Sequence, residues 1–450
     1  LTDGHTGYGQ IGRGGRYYGK YGLGWPLLAS PFAALGRLAA HLDGGVTEGF
    51  ATRAATMLLN PLLTGATAVL LLQLASRIYA LSTSAAISLL FGLATIAWYY
   101  AKSAFSEPLV TLLLLTALLA VERGALLAAG LALGAMILTR QTAALLVAPV
   151  AGWALLRLRR SPSRATPLRI GALLLPILVL QLVALGHNAY RFGSPFDFGY
   201  STATWETPLG QGLYRQLIGP GKGLFVFVPV LLLGLAGWPA LLRRRPDWAW
   251  LVLGTTTIYL LPHAVYGEWT GGGGWGPRLL LPIVPLMLLP AGCTLERWRM
   301  RPLGRFALVV VTALSVFIQI LGISVNWGRH LQAVREASAT DAAYNRRVYE
   351  RWADSPIPGQ VRALRSSLGL LVDPKDRGTV AELVDPGVGT PIRDWQTESV
   401  GLLSFNVPDL WFVYLWFLGA PAPALAGSLL LLAGTAVAAG VRLRRCVEEP

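Results

Sequence analysis

Residues 169–187 read RIGALLLPILVLQLVALGH, with one charged side chain, that of Arg169, at the first position. A helix needs about 20 consecutive, mainly apolar residues to cross the hydrocarbon core of a lipid bilayer. A surface helix of a soluble domain would instead show a polar face opposite its apolar face. Because no polar face is visible in this stretch, it predicts a transmembrane helix.

The rest of the chain repeats this pattern. Of the 450 residues, 54% are apolar and only 14% are charged, whereas soluble domains carry about 25% charged residues. The other candidate spans are residues 54–76, 82–100, 107–121, 124–139, 142–157, 223–242, 248–265, 279–295, 306–326 and 420–441. We therefore predict an all-α polytopic membrane protein with a bundle of about 11 transmembrane helices.

Arginine residues are concentrated in alternate connections between these spans: Arg157, Arg159, Arg160, Arg164 and Arg169; Arg243 to Arg245; Arg297, Arg299, Arg301 and Arg305; and Arg442, Arg444 and Arg445. Cytoplasmic loops carry an excess of basic residues. The segments predicted to lie outside are therefore 1–50, 100–107, 139–142, 187–223, 266–278 and 327–408. The formal net charge of +15 reflects this arrangement and does not indicate nucleic-acid binding.

The predicted orientation divides the chain into four parts. They are an external first loop with a juxtamembrane helix (1–50), the transmembrane bundle (51–326), an external cap of helices and loops (327–408), and an interfacial segment with the last span and a cytoplasmic tail (409–450). An external start without a targeting segment is difficult to insert into a membrane. We therefore expect a first transmembrane helix upstream of Leu1.

The external stretch WYYAKSAFSEP, residues 98–108, places Glu107 at the entry to a predicted span, with Lys102 nearby. A charged side chain costs roughly 2.5–3.5 kcal/mol at the bilayer centre, so this carboxylate should stay at the interface or face a polar cavity. Two interpretations remain open at this point. Glu107 is either a functional carboxylate or an acid stabilised by the dipole at a helix N-terminus.

A second external loop carries cations beside aromatic residues. It begins with HNAYRFGSPFDFGY, residues 187–200, and ends with GPGKGLF, residues 219–225, which supply Arg191 and Lys222. Flat aromatic faces and a few polar donors would suit a sugar ring. The alternative is an interfacial aromatic belt with snorkelling basic side chains, and this alternative is favoured for each tyrosine and phenylalanine taken singly.

A third external loop reads YGEWTGGGGWGPR, residues 266–278. Four consecutive glycines leave their backbone N–H groups open to close approach by an anion. The loop also contains Glu268, Trp269, Trp275 and Arg278. Together with Arg140, which is external by the same count, these cations predict a site for a phosphate or pyrophosphate at headgroup depth.

Metal and disulfide chemistry are not indicated by the sequence. His5, His187 and His263 lie on or near the external side but are too few for a metal cluster, so a bound divalent cation stays an open alternative. Cys293 and Cys446 both fall in arginine-rich segments predicted to be cytoplasmic, which disfavours a structural disulfide.

In their order, four phrases resemble the GT-C superfamily of membrane glycosyltransferases, which use polyprenyl-phosphate sugars and include protein O-mannosyltransferases and the aminoarabinose transferase of lipid A. The phrases are SEPL, NAYRFGSP, PGKGLF and GGGGWGPRLLLPIVP, and the resemblance extends from residue 15 to about residue 295. GKYGLGWPLLASP, which begins at residue 19, matches the family's first external loop. By this resemblance, Lys20 lies on a short juxtamembrane helix and contacts the phosphate of the lipid-linked donor.

The resemblance also bears on the catalytic base. Family members carry an acidic residue at the external start of a later helix, which Glu107 matches, and an acidic base just after the first transmembrane helix, which is not visible here. Asp3 is a poor match to that second motif. The resemblance therefore leaves Glu107 and Asp3 as the candidate catalytic residues, and the true base is expected in the upstream segment if neither serves.

The implied function is transfer of a sugar from a polyprenyl-phosphate donor to an unknown glycan, lipid or protein acceptor, with inversion, on the outer face of a bacterial plasma membrane. Candidate ligands of the donor phosphate are Lys20, Arg140, Arg278 and Lys222. Candidate substrate-binding residues are Tyr18, Lys102, Arg191, Glu268, Trp269 and Trp275. The alternatives are a non-catalytic subunit of an envelope complex and a lipid or sugar transporter, although no internal repeat typical of transporters is visible.

Overall fold

Helices make up almost all of the regular structure in the computed structural model, which describes residues 9–43, 45–160, 162–200, 204–372, 407–417 and 420–448. In chain order they are α1 (Gly24–Asp43), α2 (Glu48–Met57), α3 (Leu59–Ala75), α4 (Leu81–Ala94), α5 (Ala97–Ala101), α6 (Glu107–Glu122), α7 (Leu126–Thr139), α8 (Ala144–Arg160), α9 (Thr166–Phe192), α10 (Leu209–Leu217), α11 (Leu224–Phe227), α12 (Leu231–Arg244), α13 (Pro246–Val265), α14 (Val284–Leu288), α15 (Ala291–Trp298), α16 (Pro302–Ser324), α17 (Trp327–Glu336), α18 (Asp341–Glu350), α19 (Pro356–Val372), α20 (Trp411–Phe417) and α21 (Ala422–Glu448).

The structure also contains two short strands and several 3₁₀ helices. Strands β1 (Gly9–Ile11) and β2 (Tyr17–Gly19) form an antiparallel hairpin in which Gln10 pairs with Tyr18. There are also 3₁₀ helices at Arg13–Gly15, Gln141–Ala143, Arg278–Ile283 and Trp352–Asp354. The hairpin was not predicted from the sequence, but the helical class was, and the structure agrees with an all-α membrane protein.

Five described helical segments are long and apolar enough to cross a membrane: Glu48–Ala75, Gln141–Arg160, Thr166–Phe192, Pro302–Ser324 and Ala422–Arg442. The pair Arg278–Leu288 and Ala291–Trp298, bent by 49°, would make a sixth. Other apolar helices, such as α4 with 14 residues, are shorter than the bilayer core requires. The predicted number of about 11 spans therefore stays a prediction.

Helix α6 lies at the centre of the bundle. It packs against α3, α7, α8 and the turn Arg278–Ile283, and Val110, Leu114, Leu115 and Leu118 are completely buried. A helix that is apolar on every side is stable only when surrounded by other apolar groups. The two glutamates that begin and end α6 are consequently fixed at opposite ends of the bundle.

Those two ends differ in composition. The arginine-rich face holds the end of α8, the start of α13 and the neighbouring ends of α12 and α15, where Arg157 and Arg245 meet Glu122 and Arg244 meets Glu296. The glycine-rich face holds the start of α6 and the ends of α7 and α9, together with loop 266–277. Arg157, Arg244 and Arg245, from two of the predicted arginine-rich connections, lie at this one end. The segregation of all four arginine clusters, and which side is cytoplasmic, stay predictions.

Close packing of α7 against α9 fixes the position of the α9 C-terminus. A Cβ atom at Gly130 would collide with the Leu173 carbonyl, and one at Gly134 would lie 2.9 Å from the Pro176 carbonyl. Small residues at this spacing allow two helix backbones to approach each other. Gly130 and Gly134 therefore allow α7 and α9 to pack closely.

Helices α17, α18 and α19 follow α16 on the glycine-rich side. Gln360 of α19 donates to the carbonyls of Leu321 and Val325, 3.3 and 2.7 Å away, which ties this helical cap to the end of α16. The helical part of the predicted cap agrees with these three helices. The stretch predicted as loop after residue 372 lies outside the described residues up to residue 406.

Candidate functional site

Glu107, the first residue of α6, is completely buried between two arginines. Its Oε1 atom accepts a hydrogen bond from Arg140, at 2.9 Å, and lies 3.3 Å from Nε of Arg278. Oε2 is buried and has no hydrogen-bond partner among the described residues. Because both guanidinium groups share one carboxylate, this buried cluster keeps a surplus positive charge.

Local structure explains why the two arginines reach Glu107. Arg140 caps α7 with an extended backbone, which turns its side chain away from the helix, and its Nε donates to Thr142 at 3.1 Å. The Arg278 guanidinium lies 4.0 Å from the ring centroid of Phe105, a cation–π contact that the apolar surroundings strengthen. Both side chains are thus held by a second contact besides Glu107.

The four-glycine segment 271–274 lies directly over Arg278. A Cβ atom at Gly274 would collide with the Tyr100 hydroxyl and would lie 3.4 Å from Arg278 Cδ, and Gly276 has a φ of +62°, so glycine is required at both positions. Lys222 donates to the carbonyls of Gly272 and Gly274. The glycines therefore permit close packing over the arginine, and their carbonyls bind an inward-facing lysine.

Lys20 lies at the edge of this cluster. It follows β2 and precedes α1, so the expectation that it lies on a juxtamembrane helix is wrong; the hairpin ends at Gly19 and α1 begins only at Gly24. Its Nζ atom lies 4.8 Å from the ring centroid of Tyr200. Burial lowers the pKa of the Lys20 ammonium, with Glu268 opposing and Arg278 and Arg140 reinforcing the change.

Arg191 holds the backbone on either side of Lys20. Its guanidinium donates to the carbonyls of Gly19 and Tyr21, the latter at 2.9 Å, and to Asn188 Oδ1 at 2.8 Å. Since all of these groups lie beside Lys20 or within the end of α9, Arg191 positions Lys20 relative to the bundle. This contact pattern indicates a supporting role for Arg191, which the sequence had suggested as a substrate ligand.

A cavity of about 810 Å³ opens beside Arg140. Most of its lining is apolar or aromatic, and the residues are Arg140, Gln141, Thr142, Ala144, Leu145, Ser194, Phe196, Asp197, Phe198, Tyr200, Trp205, Pro262, His263, Tyr266 and Leu279. A much smaller pocket next to it is lined by Lys20, Arg140 and Arg191 among others. Arg140 and Tyr200 line both spaces, which connects the cations to the large cavity.

Asp197 is a cavity residue that the sequence interpretation missed. Gln10 of β1 donates to both carboxylate oxygens at 3.2 Å, and the Gly199 backbone N–H donates to Oδ1 at 2.8 Å. Among the described residues lining this cavity, Asp197 is the acidic one. Its position in the quoted loop 187–200 was visible, but the contact with the distant hairpin, which helps to fix its orientation, was not.

Several predicted ligands lie in the packing around the site. Lys222 is buried beneath the glycines, where burial and Arg278 lower the pKa of its ammonium well below the usual range. Trp275 is completely buried against Phe227 and Trp327. Their side chains support the cluster from inside and do not line the cavity.

The remaining candidates lie on other surfaces. Lys102 donates to Asp409 and to the Ile323 carbonyl, at 2.6 and 2.7 Å, and so joins the start of the interfacial segment to α16. Tyr18 packs edge-on against Tyr190 and Phe192. Trp269, which is buried, packs against Tyr349 of α18, while the neighbouring Glu268 is exposed. Asp3 lies outside the described residues.

Arg140 and Arg278 therefore meet at Glu107, and Lys20 lines a small pocket together with Arg140, with the exposed Glu268 near Lys20. Three cations face two carboxylates, which leaves a net positive charge beside a mostly apolar cavity. Such a combination suits an anionic group attached to a hydrophobic body. Among the described residues, no group of three potential metal ligands is found, so no ligand set can be named for a divalent cation.

Comparisons of this chain with protein-family models, curated proteins and solved structures found no match. The functional argument consequently rests on the residues and contacts described above.

Proposed function

We propose that this protein is a membrane glycosyltransferase that transfers a sugar from a polyprenyl-phosphate donor to an acceptor at the membrane surface. The observation that carries the proposal is the surplus of positive charge formed by Lys20, Arg140 and Arg278 next to the 810 Å³ apolar cavity. A phosphate would bind to the cations. The polyprenyl chain or the sugar would occupy the adjoining cavity.

In the proposed reaction, an acceptor hydroxyl oxygen attacks the anomeric carbon of the donor sugar. The bond between that carbon and the phosphate oxygen breaks, and polyprenyl phosphate leaves with the bonding electron pair. Lys20, Arg140 and Arg278 stabilise the negative charge that grows on the phosphate, which is an effective form of catalysis in a water-poor site. Direct attack on the face opposite the phosphate would give inversion.

The acceptor proton requires a base. Glu107 is an unfavourable choice because its carboxylate is completely buried, neutralises two arginines and is not part of the cavity lining. We assign it the task of fixing the two guanidinium groups. Asp197 lines the cavity with its carboxylate held in place, so it is the better placed acceptor of the proton.

The burial of Glu107 also favours a second candidate, a non-catalytic subunit that binds the same lipid phosphate. An assay with purified protein in liposomes and a tritiated polyprenyl-phosphate hexose distinguishes the transferase from the non-catalytic subunit. A transferase releases polyprenyl phosphate when membrane glycan or lipid fractions are supplied, and Lys20→Gln lowers that release at least about tenfold, whereas the distant Arg159→Gln leaves it unchanged. Binding without release supports the subunit. The absence of binding overturns both.

A further inference from the structure

A second large cavity, of about 750 Å³, lies on the arginine-rich face between the end of α8 and the start of α13. It is therefore at the opposite end of the bundle from Lys20. Its lining residues are Pro149, Gly152, Trp153, Leu156, Arg157 and Arg160 of α8, and Pro246, Asp247, Trp250 and Leu251 of α13. We refer to this cavity as the α8–α13 groove.

The lining of the α8–α13 groove changes from apolar to basic along α8. Pro149, Gly152 and Leu156 lie towards the middle of the bundle, and Arg157 and Arg160 are in the last turn. No atom lies within 4 Å of the position that a Cβ at Gly152 would take, so the wall is open there. Leu156 and Trp250 are 55% and 60% exposed. An amphiphile with an anionic end matches this order of surfaces.

The charges of the groove leave one arginine available. Arg157 is bound to Glu122 at 2.7 Å, and the carboxylate of Asp247 is held by Arg245 through two contacts of 3.1 Å. Arg160 is exposed and forms no ion pair within the part of the chain that the structure describes. The basic end of the groove therefore has an unbalanced positive charge.

Trp153 supplies an independent sign of a missing ligand. Its side chain lines the groove and is only 7% exposed, yet its indole N–H has no acceptor among the described residues. A buried donor without an acceptor costs about 1–3 kcal/mol. A ligand with an oxygen acceptor near its anionic group would remove this cost.

We propose that the α8–α13 groove binds one anionic phospholipid of the surrounding bilayer. The lipid phosphate contacts Arg160 and the free edge of Arg157, a glycerol or ester oxygen accepts the Trp153 N–H, and an acyl chain lies beside Leu156 and Trp250. A free phosphate ion would use the same cations but would leave the apolar walls uncovered. This inference does not depend on the proposed transferase function.

Native mass spectrometry of the delipidated protein in detergent tests the proposal. The protein is titrated with phosphatidylglycerol or with phosphatidylcholine carrying the same acyl chains, and separately with phosphatidylglycerol in the presence of excess inorganic phosphate. We expect one phosphatidylglycerol to bind at least about fivefold more tightly than phosphatidylcholine. Inorganic phosphate should displace little of it, because the acyl chain contributes much of the affinity.

Three variants locate the binding site. Arg160→Gln should weaken phosphatidylglycerol binding about fivefold. Trp153→Phe, which replaces the indole by a smaller aromatic ring without an N–H, should weaken it about threefold. Arg159→Gln removes the neighbouring exposed arginine, which does not line the groove, and should change the affinity less than twofold. Equal affinity for the two lipids, equal effects of Arg159→Gln and Arg160→Gln, or full displacement by inorganic phosphate would each overturn the proposal.

Discussion

Helix α6 begins and ends with a glutamate, and each glutamate meets two arginines. Glu107 binds Arg140 and Arg278 at 2.9 and 3.3 Å. Glu122, about 22 Å away along the helix, lies 2.7 Å from Arg157 and 3.8 Å from Arg245. By composition alone the two clusters would be judged equivalent.

Their surroundings make the two clusters different. At the Glu122 end, Trp248 also donates to the carboxylate at 3.0 Å, and Asp247 balances Arg245, so two arginines face two carboxylates. At the Glu107 end, Lys20 adds a third cation and the 810 Å³ cavity adjoins Arg140. A cavity adjoins each cluster, because Arg157 and Asp247 line the α8–α13 groove. The two clusters therefore differ in their charge balance, and in the groove the unpaired charge belongs to Arg160, which lies outside the Glu122 cluster.

The largest expected effect concerns the stability of the two clusters. Glu107→Gln should lower the free energy of unfolding by about 3–5 kcal/mol, because it leaves two largely buried guanidinium groups without a counter-charge. Glu122→Gln should cost less, since Arg157 and Arg245 are each about one-third exposed. Reversible unfolding in mixed micelles measures both values. The exposed ion pair of Glu48 with Arg37 provides a control. Glu48→Gln should lower the free energy of unfolding by less than about 1 kcal/mol. A loss for Glu122→Gln as large as that for Glu107→Gln would contradict the distinction.

A smaller effect is expected at Lys102, which we assign to structure on the glycine-rich side. Lys102→Met should lower the free energy of local opening of the segment around α20 by about 1–2 kcal/mol, because the contacts of Lys102 with Asp409 and the Ile323 carbonyl are lost. Hydrogen exchange of residues 407–417 reports this opening. The affinity for a polyprenyl-phosphate sugar should stay within about twofold of the wild-type value. A large loss of affinity without faster exchange would instead make Lys102 a ligand-binding residue.

The pH dependence of ligand binding distinguishes Lys20 from the other cations. Burial lowers the pKa of Lys20 from its ordinary 10.5, and the charged ammonium is the form that binds an anion. Affinity for a phosphodiester donor should therefore be present at neutral pH and fall, as the pH rises, at a lower pH than an ordinary lysine would show. Lys20→Arg should remove this fall, since a guanidinium stays charged. A fluorescence titration between pH 7 and pH 10 tests this, and identical pH profiles for both proteins would exclude Lys20 as the titrating ligand.

The smallest effect is expected in the cap, which covers the glycine-rich face. Burial lowers the pKa of His330, although its contact with the Asp354 carbonyl opposes the change and Arg362 reinforces it. His330 binds a proton more tightly in the unfolded cap than in the folded cap. Its contribution to the stability of the cap should therefore be fully present above pH 6.5 and decrease as the pH falls towards the lowered pKa. The free energy of opening of α17 and α19, measured by hydrogen exchange, should be lower at pH 5 than at pH 7.5 by less than about 1 kcal/mol. The difference should disappear in His330→Gln, and its persistence would assign it to another group.

The sequence predicted the helical class and the position of Glu107 at the start of α6, because apolar runs and their boundaries are local properties. It also identified Lys20, Arg140 and Arg278, which the structure places together. It could not predict that Arg140 and Arg278 share Glu107, since those contacts depend on how distant helices pack.

Other misses have the same origin. Glycine-rich residues 9–19 gave no strand signal, and their hairpin is anchored by Arg191 and Asp197 from far along the chain. Lys222 and Arg278 look alike as loop cations, yet Lys222 binds the glycine carbonyls from inside while Arg278 reaches Glu107. Burial in the folded bundle, which the sequence does not encode locally, separates their roles.

The central claim is that the unbalanced cations at the Glu107 end bind an anionic lipid-linked sugar and that the balanced cluster at the Glu122 end does not. Equilibrium binding of a short-chain polyprenyl-phosphate hexose, followed by tryptophan fluorescence, tests it with the matched variants Lys20→Gln and Arg245→Gln. We predict a loss of affinity of about tenfold for Lys20→Gln and less than twofold for Arg245→Gln, both proteins remaining monodisperse. Equal changes in the two variants, or wild-type affinity in Lys20→Gln, would contradict the account.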